Sequence, residues 1–284
     1  MPKIALVTDS TAYIPDELVR LYNIQVVPLS LIWGDQTYRD GVDIQPDEFY
    51  ARLQAAKTMP TTSQVSILDM QHAFQQLVER DLNVLGIFIS AKLSGTYQSA
   101  VQARSALGGA SERVFLVDSN TTSMAMGYVI LAAARAAEQG ATVQECAGLA
   151  EHAKEHVGVY FVVDTLEFMH RGGRIGGATR FIGSALNLKP ILALRDGRVE
   201  PEDRVRTKGK ALERVLELAS AQVGGKSNIR VATVHANAES EARALLQRAA
   251  AKMRAVESIL SPVSPVVGVH AGPGTVGLAF AAGI

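Results

Sequence analysis

Three short runs, Ile4–Val7, Asn83–Ile89 and Arg113–Val117, are apolar almost throughout instead of alternating with polar residues, and helix-length segments separate them. A strand of that kind needs cover on both faces, since a wet face would leave apolar side chains in water. Sheets covered on both faces are built from parallel strands joined by helices. The spacing therefore predicts a parallel-sheet α/β layer in the first half of the chain. The accompanying elements are a helix starting near Pro15, a strand over Gln25–Trp33, a polar turn over 34–41 and helix Pro46–Ala56. A loop over Met59–Ser66 then precedes helix Ile67–Arg80, and helices Thr96–Leu107, Met124–Glu138 and Val143–His156 complete this half. Ligands of such sheets collect beyond the carboxyl ends of the strands. Those positions hold Thr8-Asp9-Ser10, Ser90–Gly95 and Asp118–Ser123, all rich in hydroxyls.

The second half reads differently. Strand Val157–Val163 leads into a Gly- and Arg-rich stretch, then a helix near Thr179–Leu186 and a strand over Lys189–Leu194. Arg195-Asp196-Gly197-Arg198 has the composition of a tight hairpin turn, because Asp-Gly tolerates the positive φ angles required. Helix Lys208–Gln222, strand Ile229–Val234, helix Glu239–Arg254 and a closing strand near Val266–His270 follow. Hairpins mixed with helices predict an α+β domain with a mainly antiparallel sheet. The fold expected is thus α/β, with an N-terminal parallel-sheet domain over 1–160, a small excursion near 28–58, and a C-terminal α+β domain over 161–284.

Charge and cysteine content narrow the function classes. Lys plus Arg equals Asp plus Glu at 28 each, so there is no general basic footprint for nucleic acid. A single cysteine, Cys146, forbids an internal disulfide and reads as a structural thiol within a helix. The N-terminal apolar run is too short for the core of a signal peptide. No apolar stretch reaches membrane-spanning length, Met124–Ala137 being interrupted by Arg135. The expectation is a cytoplasmic chain without stable membrane insertion or a nucleic-acid partner.

Gly272-Pro273-Gly274-Thr275-Val276-Gly277 matches the dinucleotide pattern in letters but lacks the following βαβ unit. Gly224-Gly225-Lys226-Ser227 lacks the first glycine of a phosphate loop, Ser220 standing there. His152 and His156 share a helical spacing without further ligands nearby, so neither a metal nor a cofactor is expected. Ser94, in Leu93-Ser94-Gly95-Thr96, has no nucleophile elbow around it and also suits a helix cap, as does Gly95. Thr61-Thr62-Ser63-Gln64 precedes another helix in the same way. Unsatisfied N–H groups at two such helix starts could serve one small anion. His270, at the end of the closing strand, and the pairs Arg171/Arg174 and Arg204/Arg206 remain open between structural and anion-binding roles.

Taken together, these segments resemble the DegV family. The resemblance rests on Val7-Thr8-Asp9-Ser10-Thr11-Ala12, Thr61–Ser66, Leu93–Ala100 and Val117-Asp118-Ser119, continued by Thr165-Leu166-Glu167 and Gly172–Gly176. Leu188–Leu192, Val205-Arg206-Thr207 and His270–Gly274 complete it, in the family's order. Val65 stands where the family usually has Pro, and Ala91-Lys92 replaces a commoner small or polar pair. The resemblance implies a bacterial, non-enzymatic carrier for a long-chain fatty acid such as palmitate, stearate or oleate. The carboxylate would be held by Thr62 and Ser94, with His270 completing the polar network and no catalytic residue of the chain's own. Ser63, Gly95, Arg171 and Arg206 would support the site or phosphoryl transfer, with Arg204 as the alternative arginine. The implied partner is a fatty acid kinase subunit that forms the acyl-phosphate. The competing expectation is a serine hydrolase or acyltransferase using Ser94 and His270.

Overall fold

The computed structural model describes residues 3–56, 58–182 and 188–284. The first half is built on a four-stranded parallel sheet in the order β2-β1-β6-β7. Its strands are β1 (Ile4–Asp9), β2 (Gln25–Val27), β6 (Asn83–Phe88) and β7 (Val114–Asp118). Between β1 and β2 lies α1 (Asp16–Leu21). A three-stranded antiparallel sheet branches off, formed by β3 (Ser30–Trp33), β4 (Gln36–Arg39) and β5 (Thr61–Ser63), with α2 (Pro46–Ala55) inserted. Helices α3 (Ile67–Glu79), α4 (Thr96–Ala106), α5 (Ser123–Glu138) and α6 (Val143–Ala153) fill the remaining connections.

The second half is a six-stranded, mainly antiparallel sheet in the order β10-β9-β8-β13-β11-β12, with β11 and β12 parallel. Its strands are β8 (Val157–Val162), β9 (Lys189–Arg195), β10 (Arg198–Val205), β11 (Arg230–His235), β12 (Glu257–Pro262) and β13 (Val276–Ala281). Its helices are α7 (Glu167–Arg171), α8 (Lys208–Val223), α9 (Glu239–Met253) and α10 (Pro265–Ala271). The α/β class with one parallel and one mainly antiparallel sheet is therefore the class read from the sequence. Residue 160 falls inside β8.

The layers stack in a definite order. Helices α3 and α4 cover one face of the parallel sheet, and α8 and α9 cover the far face of the six-stranded sheet. Between the sheets runs α5, against β1 and β6 on one side and β8, β11 and β13 on the other. Its Met124, Met126, Ile130 and Leu131 are fully buried, as an all-round apolar helix must be. One hydrophobic core thus joins the halves, from Leu6, Leu85 and Ile87 to Val159, Ala232 and Ala279. Cys146 of α6 lies in the same core as a buried free thiol. Among the described residues no helix is long and apolar enough to cross a membrane.

Several elements differ from the sequence reading. Gln25–Trp33 is two strands in two sheets, separated at Pro28-Leu29, because proline supplies no ladder N–H. The polar stretch read as a turn contains β4, and the loop before α3 contains β5. Thr62 therefore sits on a strand, opposite Leu31, and not at a helix start; Ser66 is the residue that caps α3, accepting from the Asp69 N–H at 3.0 Å. The closing strand expected at Val266–His270 is α10, with Ser264 as N-cap and Pro265 in its first turn. The last strand is β13, and β12 also went unforeseen. Of the helix expected at 179–186, residues 183–186 lie outside the described residues, and Gly176–Phe181 form a 3₁₀ turn. The hairpin is as expected, with Asp196 at φ 48° and Gly197 at φ 76°.

Candidate functional site

A cavity of about 240 Å³ lies where the two sheets meet. Its walls come from just past the carboxyl ends of β1, β6 and β7, from β5, from α10 and from strands of the second sheet. The loop Ser90–Gly95 is fixed there by the β9–β10 hairpin: Ser90 Oγ donates to the Gly197 carbonyl at 2.9 Å and Lys92 Nζ to that of Asp196 at 2.6 Å. Arg174 holds the same loop by donating from Nε to the Leu93 carbonyl at 3.2 Å.

Burial gives the cavity a direction. At one end Ser63, Gln64 and Arg174 are exposed, while Thr62, Ser94, Gly95 and His270 are half-buried. At the other end Thr11, Ser123, Val159, Val234, Val263 and Val266 are buried. The cavity is polar at a mouth and mostly apolar at its floor.

The mouth brings together three chain segments. Thr62 Oγ1 and His270 Nε2 are 2.9 Å apart. Ser94 Oγ lies 2.9 Å from Thr96 Oγ1 and accepts from the Thr96 N–H at 3.2 Å, so this hydroxyl braces the first residue of α4, whose N-cap is Gly95. The strand bearing Thr62 is tied to α4 as well, Gln64 Nε2 donating to Ser99 Oγ at 3.0 Å. Gly95 leaves room there for the end of the Gln64 side chain, which a Cβ would displace. Gly172 has the same duty toward His270, whose Nδ1 its Cβ would overlap.

Electrostatics at the mouth favour an anion. Burial, reinforced by the Arg174 charge, holds the His270 imidazole down to about 4, so the ring is neutral at physiological pH. A neutral imidazole with its proton on Nε2 donates to Thr62 and leaves the Thr62 O–H free to donate onward. Arg174 adds a cation whose Nη1 also donates to the Gly172 carbonyl at 2.7 Å. Ser94 pairs with Thr96 and His270 with Thr62, which is not the nucleophile–base pairing of a serine hydrolase. Among the described residues no group of three His, Cys, Asp or Glu side chains could hold a metal ion.

The DegV family model matches residues 3–283. The chain belongs to the DegV family. A DegV domain-containing protein of Streptomyces coelicolor is 37% identical over 277 residues, which span 97% of each chain. A fatty-acid-binding DegV family protein from Thermus thermophilus superposes with a TM-score of 0.93 at 37% identity, over 99% of both chains. A stearic-acid-binding protein from Eubacterium ventriosum superposes with a TM-score of 0.91 at 26% identity, over 100% of this chain and 99% of that one.

In this DegV family member, Thr62, Ser63, Ser94, Gly95 and His270 all line the one cavity. Arg171 and Arg206 do not: Arg171 is exposed and paired with Glu167, and Arg206 is exposed just after β10. Arg204 is exposed too, its guanidinium lying 5.5 Å from the Phe181 ring centre. The arginine that does reach the cavity is Arg174, which the sequence offered only as half of a pair. Gln64, next to Ser63, was not singled out. The Gly172-Gly173 step between Arg171 and Arg174 hides any periodicity that could have told the two arginines apart.

Proposed function

We propose that this chain binds a long-chain fatty acid of the palmitate, stearate or oleate class, with the carboxylate at the mouth and the tail on the apolar floor. The observation that supports it best is the Thr62–His270 contact at 2.9 Å, set with Ser94 and Arg174 at the polar end of a cavity whose floor is mostly apolar. Each methylene removed from water contributes about 0.8 kcal/mol, so the tail supplies the affinity. The carboxylate, desolvated in the process, is tolerated because hydroxyls and an imidazole hydrogen-bond it. The half-buried mouth then leaves the headgroup within reach of a second protein.

We read the chain as two units, divided near residue 160, that act as a carrier with no catalytic residue or cofactor of its own. In this reading a cytoplasmic kinase partner phosphorylates the held carboxylate. The exposed Arg171 and Arg206 face solvent and are available to that partner. Organic extraction of the purified protein followed by mass spectrometry tests the binding step, and a stoichiometric long-chain fatty acid is expected. Lipid-free preparations that also fail to take up palmitate or oleate would overturn it.

A further inference from the structure

The mostly apolar cavity floor carries a few hydroxyls, and one of them stands apart. Ser123, the first residue of α5, is 6% exposed, and its Oγ is buried without a hydrogen-bond partner among the described residues. The other hydroxyls of the inner wall are engaged. Thr11 Oγ1 donates to Asp9 Oδ1 at 2.6 Å, Thr122 Oγ1 to the Thr11 carbonyl at 3.4 Å, and Thr275 Oγ1 to the Ala271 carbonyl at 2.8 Å. Tyr13 lies 3.5 Å from Ser264 Oγ. A buried hydroxyl left unsatisfied has given up its water with nothing in exchange, so a lone one in a cavity wall marks a place where a ligand oxygen belongs.

The setting adds to this. Ser123 opens a 16-residue helix whose N-cap, Thr122, makes no side-chain cap bond. The first-turn N–H groups and the positive end of the helix dipole favour an electron-rich atom there. The Ser123 N–H itself donates to the Thr11 carbonyl at 2.8 Å, which locks the residue against the end of β1.

We propose that Ser123 forms a second polar subsite, deep in the cavity and apart from the carboxylate site, that accepts a hydroxyl carried on the acyl chain. The ligand class is a hydroxylated long-chain fatty acid with its hydroxyl well removed from the carboxylate. The subsite rests on the fatty-acid reading above and deepens it.

The test measures dissociation constants for stearate, 12-hydroxystearate, 16-hydroxypalmitate and 3-hydroxypalmitate with wild type, Ser123→Ala and Ser123→Gly. Glycine removes the hydroxyl while suiting the backbone, since Ser123 has φ 62°. Relative to stearate, at least one of the two distal hydroxy acids is expected to lose about tenfold in both variants. The ratio for 3-hydroxypalmitate, whose hydroxyl stays near the mouth, is expected not to move. If stearate binds but the distal ratios shift by less than threefold, the subsite is overturned and the fatty-acid reading stands. If stearate does not bind wild type, both fall.

Discussion

Thr62 Oγ1 and His270 Nε2 meet at 2.9 Å across 208 positions of sequence, joining a three-residue strand of the small sheet to the last turn of α10. The bond positions the one hydroxyl that a neutral imidazole can orient toward an anion. Thr62→Val keeps the shape, removes that donor and leaves Nε2 without its partner. A loss of about 1–3 kcal/mol in binding is expected, or roughly fivefold to 150-fold in oleate affinity. Calorimetric titration checks it, and an affinity within twofold of wild type would take Thr62 out of the site.

His270 also writes a pH dependence into the fold. Its imidazole is held down to about 4 by burial and by Arg174, against about 6.5 in an unfolded chain. Between those values the unfolded chain binds a proton that the folded one does not, so stability falls as pH drops from 6.5 to 4. Below pH 4 both states carry the proton and the loss stops growing. The full effect corresponds to about 3 kcal/mol. Urea midpoints of wild type and His270→Gln across this window isolate it, because every other titrating group is common to both proteins. Wild type is expected to gain on the variant as pH rises; a constant difference would show that His270 does not titrate this way.

Gly172 and Gly173 make an internal comparison. Gly172 has φ −75°, which any residue can adopt, so what requires glycine is the His270 ring beside it. Gly172→Ala is expected to push that ring off Thr62, costing about 1–3 kcal/mol of stability and at least tenfold in acyl affinity. Gly173 has φ 70° and open space around a Cβ, so Gly173→Ala strains only the backbone, by roughly 1–2 kcal/mol. Its acyl affinity is expected to be unchanged. Equal binding losses in the two variants would argue against His270 as the reason for Gly172.

These relationships explain what could and could not be read from the letters. The parallel strands were legible because β1, β6 and β7 are apolar on both faces, and the hairpin because Asp196-Gly197 has one favoured turn. The small sheet was not. Gln36–Arg39 and Thr61–Ser63 are polar and too short to show a period, and β5 is a strand because Thr61, Thr62 and Ser63 pair with Ile32, Leu31 and Ser30 of β3. In α10 the β-branched Val266, Val267 and Val269 read as a strand, whereas Ser264-Pro265 has the composition of a helix start and Gly268 packs closely on Phe49 and Tyr50. The hydroxyls past the strand ends were visible as a class. Their assembly with His270 was not, because nothing local encodes a contact over 208 positions; the family resemblance put the three residues together.

Asp40 carries the last expectation. It follows β4, is 2% exposed, and its Oδ1 accepts the Val266 N–H at 3.1 Å, so a buried carboxyl sits at the start of the helix that carries His270 in its last turn. Burial pushes it up to about 6, against the opposing pull of Ser10, the Val266 N–H and Ser264. An unfolded aspartate titrates near 3.9, so between about pH 4 and 6 the folded chain holds a proton that the unfolded chain has lost. Stability from this group therefore declines as pH rises through that window, and above pH 6 the full cost of a buried ionised carboxylate is present. Asp40→Asn keeps an oxygen acceptor for Val266 and removes the ionisation. The variant is expected to exceed wild type by about 1–3 kcal/mol at pH 8, with the gain shrinking as pH falls from 6 toward 4. Chemical denaturation at pH 8 and pH 4.5 checks this. A variant destabilised equally at both would mean that Asp40 holds α10 as an anion whose charge the fold needs.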